Sequence, residues 1–258
     1  MEHTIASISE LNTRGAAALA SGHVNLAFES FSSALELLGT FIRHGPAPES
    51  LGPIDGSASN SYGCSNGSPV GLTWASALKE AKSAHLQFSG RNPSFSPSAP
   101  APTITTFEHQ HFVYKEALVF NPSLVLSPHA TMTFLPVCLA MVQFNLGLTY
   151  QMKTKDIGEQ ALIRALTWYD LCLAQVQCSV HAGMPGYMNI VVAAMNNMAI
   201  ASYDLCHFGK ARHIFGTLME VVSSNSINDR IQNFGEAHMQ GLLLNIILLH
   251  VDAIAPAA

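Results

Sequence analysis

Apolar positions recur at helical spacing through most of this chain. Between Thr4 and Arg43 the Ala, Leu and Phe residues fall three and four apart, and the same period returns after Pro128 and runs nearly to the end. The pattern predicts seven helices, over 5–21, 24–42, 132–152, 157–178, 186–206, 208–223 and 228–250. Boundary residues agree with it. Asp156 with Glu159 is a D-x-x-E capping signal, Pro185 suits a first helical turn, and Ser226 with Asp229 makes another cap. Pro136 has to stand in the first turn of its helix or bend it. One stretch differs: His111–Phe120 (HFVYKEALVF) carries β-branched and aromatic residues with few breakers and reads as a strand. Its expected partner in a small β-hairpin-like element is Ala84–Ser89.

From His44 to Ile104 the period disappears. Of these 61 residues 27 are Gly, Pro or Ser, too few apolar groups to offset the cost of ordering them. This is expected to be a long flexible insertion, with one short element at Leu72–Phe88 around Trp74 and Leu78. The organisation is then an N-terminal helical hairpin (1–43), the insertion (44–104), and a strand followed by helical hairpins (105–258). The fold class is mainly all-α.

Internal similarity links the helices. With Gly15, Gly147 and Ala199 aligned, the segments LNTRGAAALASGHVNLAFESFSSALELL, FNLGLTYQMKTKDIGEQALIRALTWYDL and NNMAIASYDLCHFGKARHIFGTLMEVV share one plan. A helix with a small residue at its waist is followed by a short turn and a second helix opening on Ala. From Gly15 the second helix has Ala27, Phe31 and Ala34; from Ala199 the same offsets reach Ala211, Phe215 and Leu218, the last where Ala is expected. The second unit reads as carrying two extra turn residues near Lys155.

These offsets resemble the tetratricopeptide repeat, a 34-residue helix–turn–helix unit, over about 5–42 and 134–223, with 228–250 as a capping helix. Small waist residues let paired helices approach closely, and the aromatic fills the gap between units. The resemblance implies antiparallel helix hairpins in a right-handed stack whose first helices line a concave groove. Carried over, the groove positions are Met141, Phe144, Leu148, Gln151 and Met152 in the second unit, and Asn196, Ile200, Tyr203 and Asp204 in the third. Some members of that family clamp a partner's terminal carboxylate with basic residues. Helices 134–152 and 186–206 contain no Lys or Arg, so this groove is neutral and half apolar, suited to an amphipathic or neutral protein segment, or to packing against the rest of the chain.

Composition removes several functions. Charged residues make up only 11%, against about 25% for a typical soluble domain. The net charge of −5 offers no basic surface for nucleic acid or an anionic membrane. The two longest apolar stretches, Thr131–Met152 and Gly241–Ala258, are interrupted by polar residues at intervals that suit buried helices rather than membrane spans. Five cysteines, an odd number without a C-x-x-C pair, read as free thiols in a reducing compartment. Met1-Glu2-His3-Thr4 has neither a basic n-region nor an apolar h-region, so no secretory signal is expected. The expected location is intracellular, in the cytoplasm.

Two patterns suggest chemistry. Gly63-Cys64-Ser65-Asn66-Gly67 matches G-x-S-x-G, but the nucleophile elbow needs a buried strand before it, and Ser-Ala-Ser-Asn-Ser-Tyr is not one. His109 and His111 flank the expected strand and would point the same way, yet no third or fourth metal ligand stands nearby. The reading is therefore a non-catalytic protein–protein interaction scaffold or adaptor, without cofactor or metal. The alternatives are a metal-binding or hydrolytic enzyme using Ser65, His109 and His111, and a self-assembling homo-oligomeric subunit joined through the apolar helix around Leu242–Leu249.

Overall fold

A computed structural model describes residues 2–44, 113–120, 128–178, 187–223 and 236–251. Eight helices are described: α1 (Glu2–Ala20), α2 (Val24–His44), α3 (Pro128–Met152), the one-turn α4 (Thr154–Ile157), α5 (Glu159–Cys178), α6 (Tyr187–Asp204), α7 (Phe208–Ser223) and α8 (Glu236–Val251). No strand occurs among the described residues. The expected helices of the N-terminal hairpin and of 208–223 are found within a few residues. The range expected as one helix over 157–178 is interrupted at Gly158, whose φ of 74° no helix accepts. Asp156 consequently lies inside α4 and does not cap α5. Helix α3 begins at Pro128, so Pro136 stands in its interior and not in its first turn. The caps at Pro185, Ser226 and Asp229, and the insertion 45–104, lie outside the described residues.

Helix α1 turns its Ile5, Ile8, Asn12 and Leu19 inward, and α2 answers with Ala27, Phe28, Phe31, Ala34, Leu35 and Leu38. Between them the chain reverses through Ser21-Gly22-His23. Gly22 has a φ of 76°, its N–H donates to Leu19 O, and the His23 N–H donates to Ala18 O, the two bonds of a Schellman ending. The turn after α6 repeats this geometry with a different residue. Cys206 takes a φ of 59° and donates to Tyr203 O, while His207 donates to Ser202 O.

Three helix pairs result, α1–α2, α3–α5 and α6–α7. The second helix of a pair also packs on the first helix of the next, α2 on α3 and α5 on α6, while α1 touches α3 and α3 touches α6. Phe28 meets Tyr150 edge-on at 5.4 Å across the α2–α3 contact, and Tyr187 on α6 donates its hydroxyl to Val176 O on α5 at 2.7 Å. Helix α8 packs against α7.

Two of the waist residues sit where paired helices approach closely. A Cβ added at Gly15 would lie 2.5 Å from the Phe31 ring, and one at Gly147 would lie 2.7 Å from the Tyr169 ring. Ala199 is fully buried. The Gly147 contact corrects the alignment of the second unit. Phe31 follows Gly15 by sixteen positions and Tyr169 follows Gly147 by twenty-two, so six residues are inserted, not two. Residues 153–158 supply them, as α4 and its flanks. Ala165, Tyr169 and Cys172 thus stand where Ala27, Phe31 and Ala34 stand in the first unit, and all six are buried.

Candidate functional site

The sequence leads one to expect a strand at His111–Phe120. Residues 113–120 have no regular structure, and the proposed partner Ala84–Ser89 lies outside the described residues. The segment instead runs across the first helices of the three pairs, and asparagine side chains bond its main chain at Tyr114 and Leu118. The Tyr114 N–H donates to Asn197 Oδ1 at 2.8 Å, and Asn197 Nδ2 donates to Tyr114 O at 2.9 Å. Four residues on, the Leu118 N–H donates to Asn145 Oδ1 at 2.8 Å and Asn145 Nδ2 donates to Leu118 O at 2.9 Å. Asn12 Nδ2 donates to the same carbonyl at 2.8 Å, and Ser9 Oγ donates to Phe120 O at 3.2 Å. The segment therefore meets α6 first, then α3, then α1, the reverse of their order in the chain.

An asparagine amide carries one acceptor oxygen and two N–H donors, so it can close a two-bond ring with the N–H and C=O of one residue and keep a donor for a neighbour. Both central asparagines do this. Asn145 gives its other donor to Asn12 Oδ1 at 2.9 Å, and Asn197 gives its other to the Tyr169 hydroxyl at 3.3 Å. Tyr169 in turn donates to Gln151 Oε1 at 2.7 Å. On the far side Asn245 of α8 donates to Asn196 Oδ1 at 2.8 Å, and Asn196 donates to Asn197 Oδ1 at 3.1 Å. Asn12, Asn145, Asn196, Asn197 and Asn245 are all buried. Buried amides need such partners, because an unsatisfied one costs about 1–3 kcal/mol.

Tyr114 and Phe120 are buried, Leu118 is half-buried, and Lys115, Glu116 and Val119 are exposed. The Tyr114 ring lies 6.0 Å from Phe144 and 4.9 Å from His238 of α8; Phe120 meets Phe134 edge-on at 6.4 Å. His238 Nε2 is 3.2 Å from Glu116 Oε1. Burial, helped by the Glu116 charge, pushes the Tyr114 hydroxyl up to about 12, so it stays protonated at neutral pH.

The expected groove residues divide. Phe144, Gln151 and Asn196 belong to this site through the contacts above. Leu148 and Ile200 are buried in the core, Met141 and Met152 are half-buried against it, Tyr203 packs on Phe208 at 5.2 Å, and Asp204 is exposed. The residues that grip the segment, Asn12, Asn145 and Asn197, were not among those expected. Phe144 and Asn196 each precede one of them. A signal was available: Asn145 and Asn197 both stand two positions before a waist residue, in the middle of apolar helices where asparagine is a poor helix former.

Ser65, His109 and His111 lie outside the described residues, as does Cys64. Among the described residues no group of three or more His, Cys, Asp or Glu side chains is placed to hold a metal ion. Cys138, Cys172 and Cys206 are unpaired, the first two buried and Cys206 exposed. No described helix is long and apolar enough to cross a membrane. No protein-family model matches the chain, and neither a curated protein nor a solved structure is significantly similar to it.

Proposed function

We propose that the chain is a non-catalytic protein–protein interaction scaffold, built of tetratricopeptide-like helix hairpins in a right-handed stack, whose concave side holds a polypeptide segment by its main chain. The hairpin order supports the stacking: each second helix packs on the first helix of the next pair, and small waist residues meet aromatics at two of the three crossings. The observation that carries the function is the pair of two-bond rings that Asn197 and Asn145 make with the N–H and C=O of Tyr114 and of Leu118, four residues apart. Main-chain pairing supplies affinity without regard to sequence, and the pockets beside it supply selectivity. The partner is a neutral or amphipathic protein segment. The test is affinity capture on the immobilised full chain, wild type against N145A/N197A. A partner retained by wild type and lost from the variant is the expected result; an unchanged captured set refutes the reading.

A second reading, self-assembly, is favoured by α8. Its Leu243, Leu244 and Ile247 are 42%, 52% and 58% exposed, whereas Asn245 and Leu242 on the same helix are fully buried. Light scattering across protein concentration is expected to show association that L244E/I247E abolishes. A strict monomer at all concentrations removes this reading.

A further inference from the structure

We infer that residues 113–120 are a displaceable occupant of the asparagine groove, and that the segment the groove accepts in trans repeats their spacing: an aromatic residue, an aliphatic one four positions on, and a second aromatic two beyond. This rests on the scaffold reading and names the chemistry of its partner. Three observations lead there. First, the helix pairs contact one another directly, α2 with α3, α5 with α6 and α3 with α6, so the stack does not need the segment as mortar. Second, every described main-chain bond of the segment goes to a side chain of the stack: Tyr114 to Asn197, Leu118 to Asn145 and Asn12, Phe120 to Ser9. Third, the groove grips the main chain with amides, between aromatic pockets that hold Tyr114 and Phe120. Amides released from a peptide can bond water, so vacating them forfeits only the net value of each bond, and the emptied aromatic pockets favour a segment that refills them.

Specificity follows from what is held. Tyr114 fits between Phe144 and His238, Phe120 fits against Phe134, and Leu118 sits where Asn12 and Asn145 grip its carbonyl. The residues at the Lys115 and Val119 positions face outward and are read loosely. The position of Glu116 favours an acidic residue, because it faces His238 at 3.2 Å. In the resting chain the tethered copy competes from an effective concentration on the order of millimolar, so a free peptide of the same sequence binds wild type only weakly.

The probe is a fluorophore-labelled peptide Val-Tyr-Lys-Glu-Ala-Leu-Val-Phe titrated into the full chain. Expected is binding at least about tenfold tighter to Y114A/F120A, whose own segment is weakened, than to wild type. N-methylation of the peptide at its Tyr or Leu nitrogen removes a donor to Asn197 or Asn145 and is expected to cost about tenfold or more, while N-methylation of the Val that precedes the final Phe changes affinity less than about threefold. Equal peptide binding by wild type and variant, or indifference to the position of methylation, overturns the inference. Should Y114A/F120A not fold, amide hydrogen exchange of wild type decides. The Tyr114 and Leu118 amides are expected to exchange at least about tenfold faster than those of Ala140–Leu146 and to speed up further in excess peptide. Exchange in step with α3, unaffected by peptide, would make the segment a permanent part of the core and end the proposal. Peptide binding without groove-dependent capture refutes the scaffold reading alone; groove-dependent capture without peptide binding refutes this inference alone.

Discussion

A methyl group at Gly15 would stand 2.5 Å from the Phe31 ring, and one at Gly147 2.7 Å from the Tyr169 ring, closer than carbon atoms approach. Alanine is the better helix former by about 1 kcal/mol, so propensity and packing pull in opposite directions. Packing wins here because a ring wedged between two helices cannot retreat. G15A and G147A are expected to destabilise by about 1–3 kcal/mol in urea unfolding. Gly216, inside α7, supplies the control: a methyl there meets nothing within 4 Å, and G216A is expected to stabilise by up to about 1 kcal/mol. If all three shift alike, close approach at the waist is not what selects glycine. The turn residues make a second comparison. Gly22 and Cys206 occupy equivalent left-handed positions, with φ of 76° and 59°, and a side chain there costs about 1 kcal/mol. C206G is expected to recover about that much, and no change in the urea midpoint would count against the strain.

At the scale of elements, the site depends on three first helices presenting asparagines to one segment. N197A leaves the Tyr114 N–H and C=O buried without their partner, and the expected loss is about 2–4 kcal/mol, read from urea unfolding. Ser32 is the contrasting case: its buried hydroxyl has no partner among the described residues, so S32A is expected to change stability by less than about 1 kcal/mol. A small effect of N197A would show the segment to be held by its rings alone. The helices themselves were legible because amphipathic spacing is local. Ala27, Phe31 and Ala34, or Ala211, Phe215 and Leu218, declare a buried face without reference to anything distant. The segment was misread as a strand for a related reason. The β-branched and aromatic residues Val113, Tyr114, Val119 and Phe120 signal a non-helical run, but composition does not say what pairs with its main chain.

At the scale of the molecule, the buried weak acids among the described residues shape the response to alkali. Cys138, Cys172, Tyr114 and Tyr169 all have their pKa raised, chiefly by burial. Each keeps its proton in the folded chain and loses it in the unfolded one. The stability it contributes is therefore complete below the ordinary value, 9.0 for the thiols and 10.0 for the phenols, and is lost as pH rises above it. Lys153 opposes this. Burial lowers it to about 8 against the helping charge of Asp156, so between about 8 and 10.5 the unfolded chain holds the extra proton and stability rises. One lysine is outweighed by two thiols above pH 9 and by the phenols above pH 10. Stability is expected to be flat or slightly rising from pH 8 to 9 and then to fall. C172A, which puts alanine where the first unit has Ala34, is expected to make the fall shallower by about 1.4 kcal/mol per pH unit. Urea midpoints measured from pH 8 to 10.5 check this; an unchanged slope would show that Cys172 ionises freely in the folded chain.

The sequence by itself determined the helical character of the chain and the small residues at Gly15 and Gly147 where paired helices approach closely, because helical spacing is written in residues a few positions apart. Only the tertiary structure decided where 113–120 lies, that the second unit carries six inserted residues rather than two, and that asparagines hold the segment. Tyr114 is 83 positions from Asn197, and Leu118 is 106 from Asn12. A main-chain amide looks the same at every residue, so nothing along the chain marks which one an asparagine will take. Folding brings them within hydrogen-bonding reach, and only there does the choice exist.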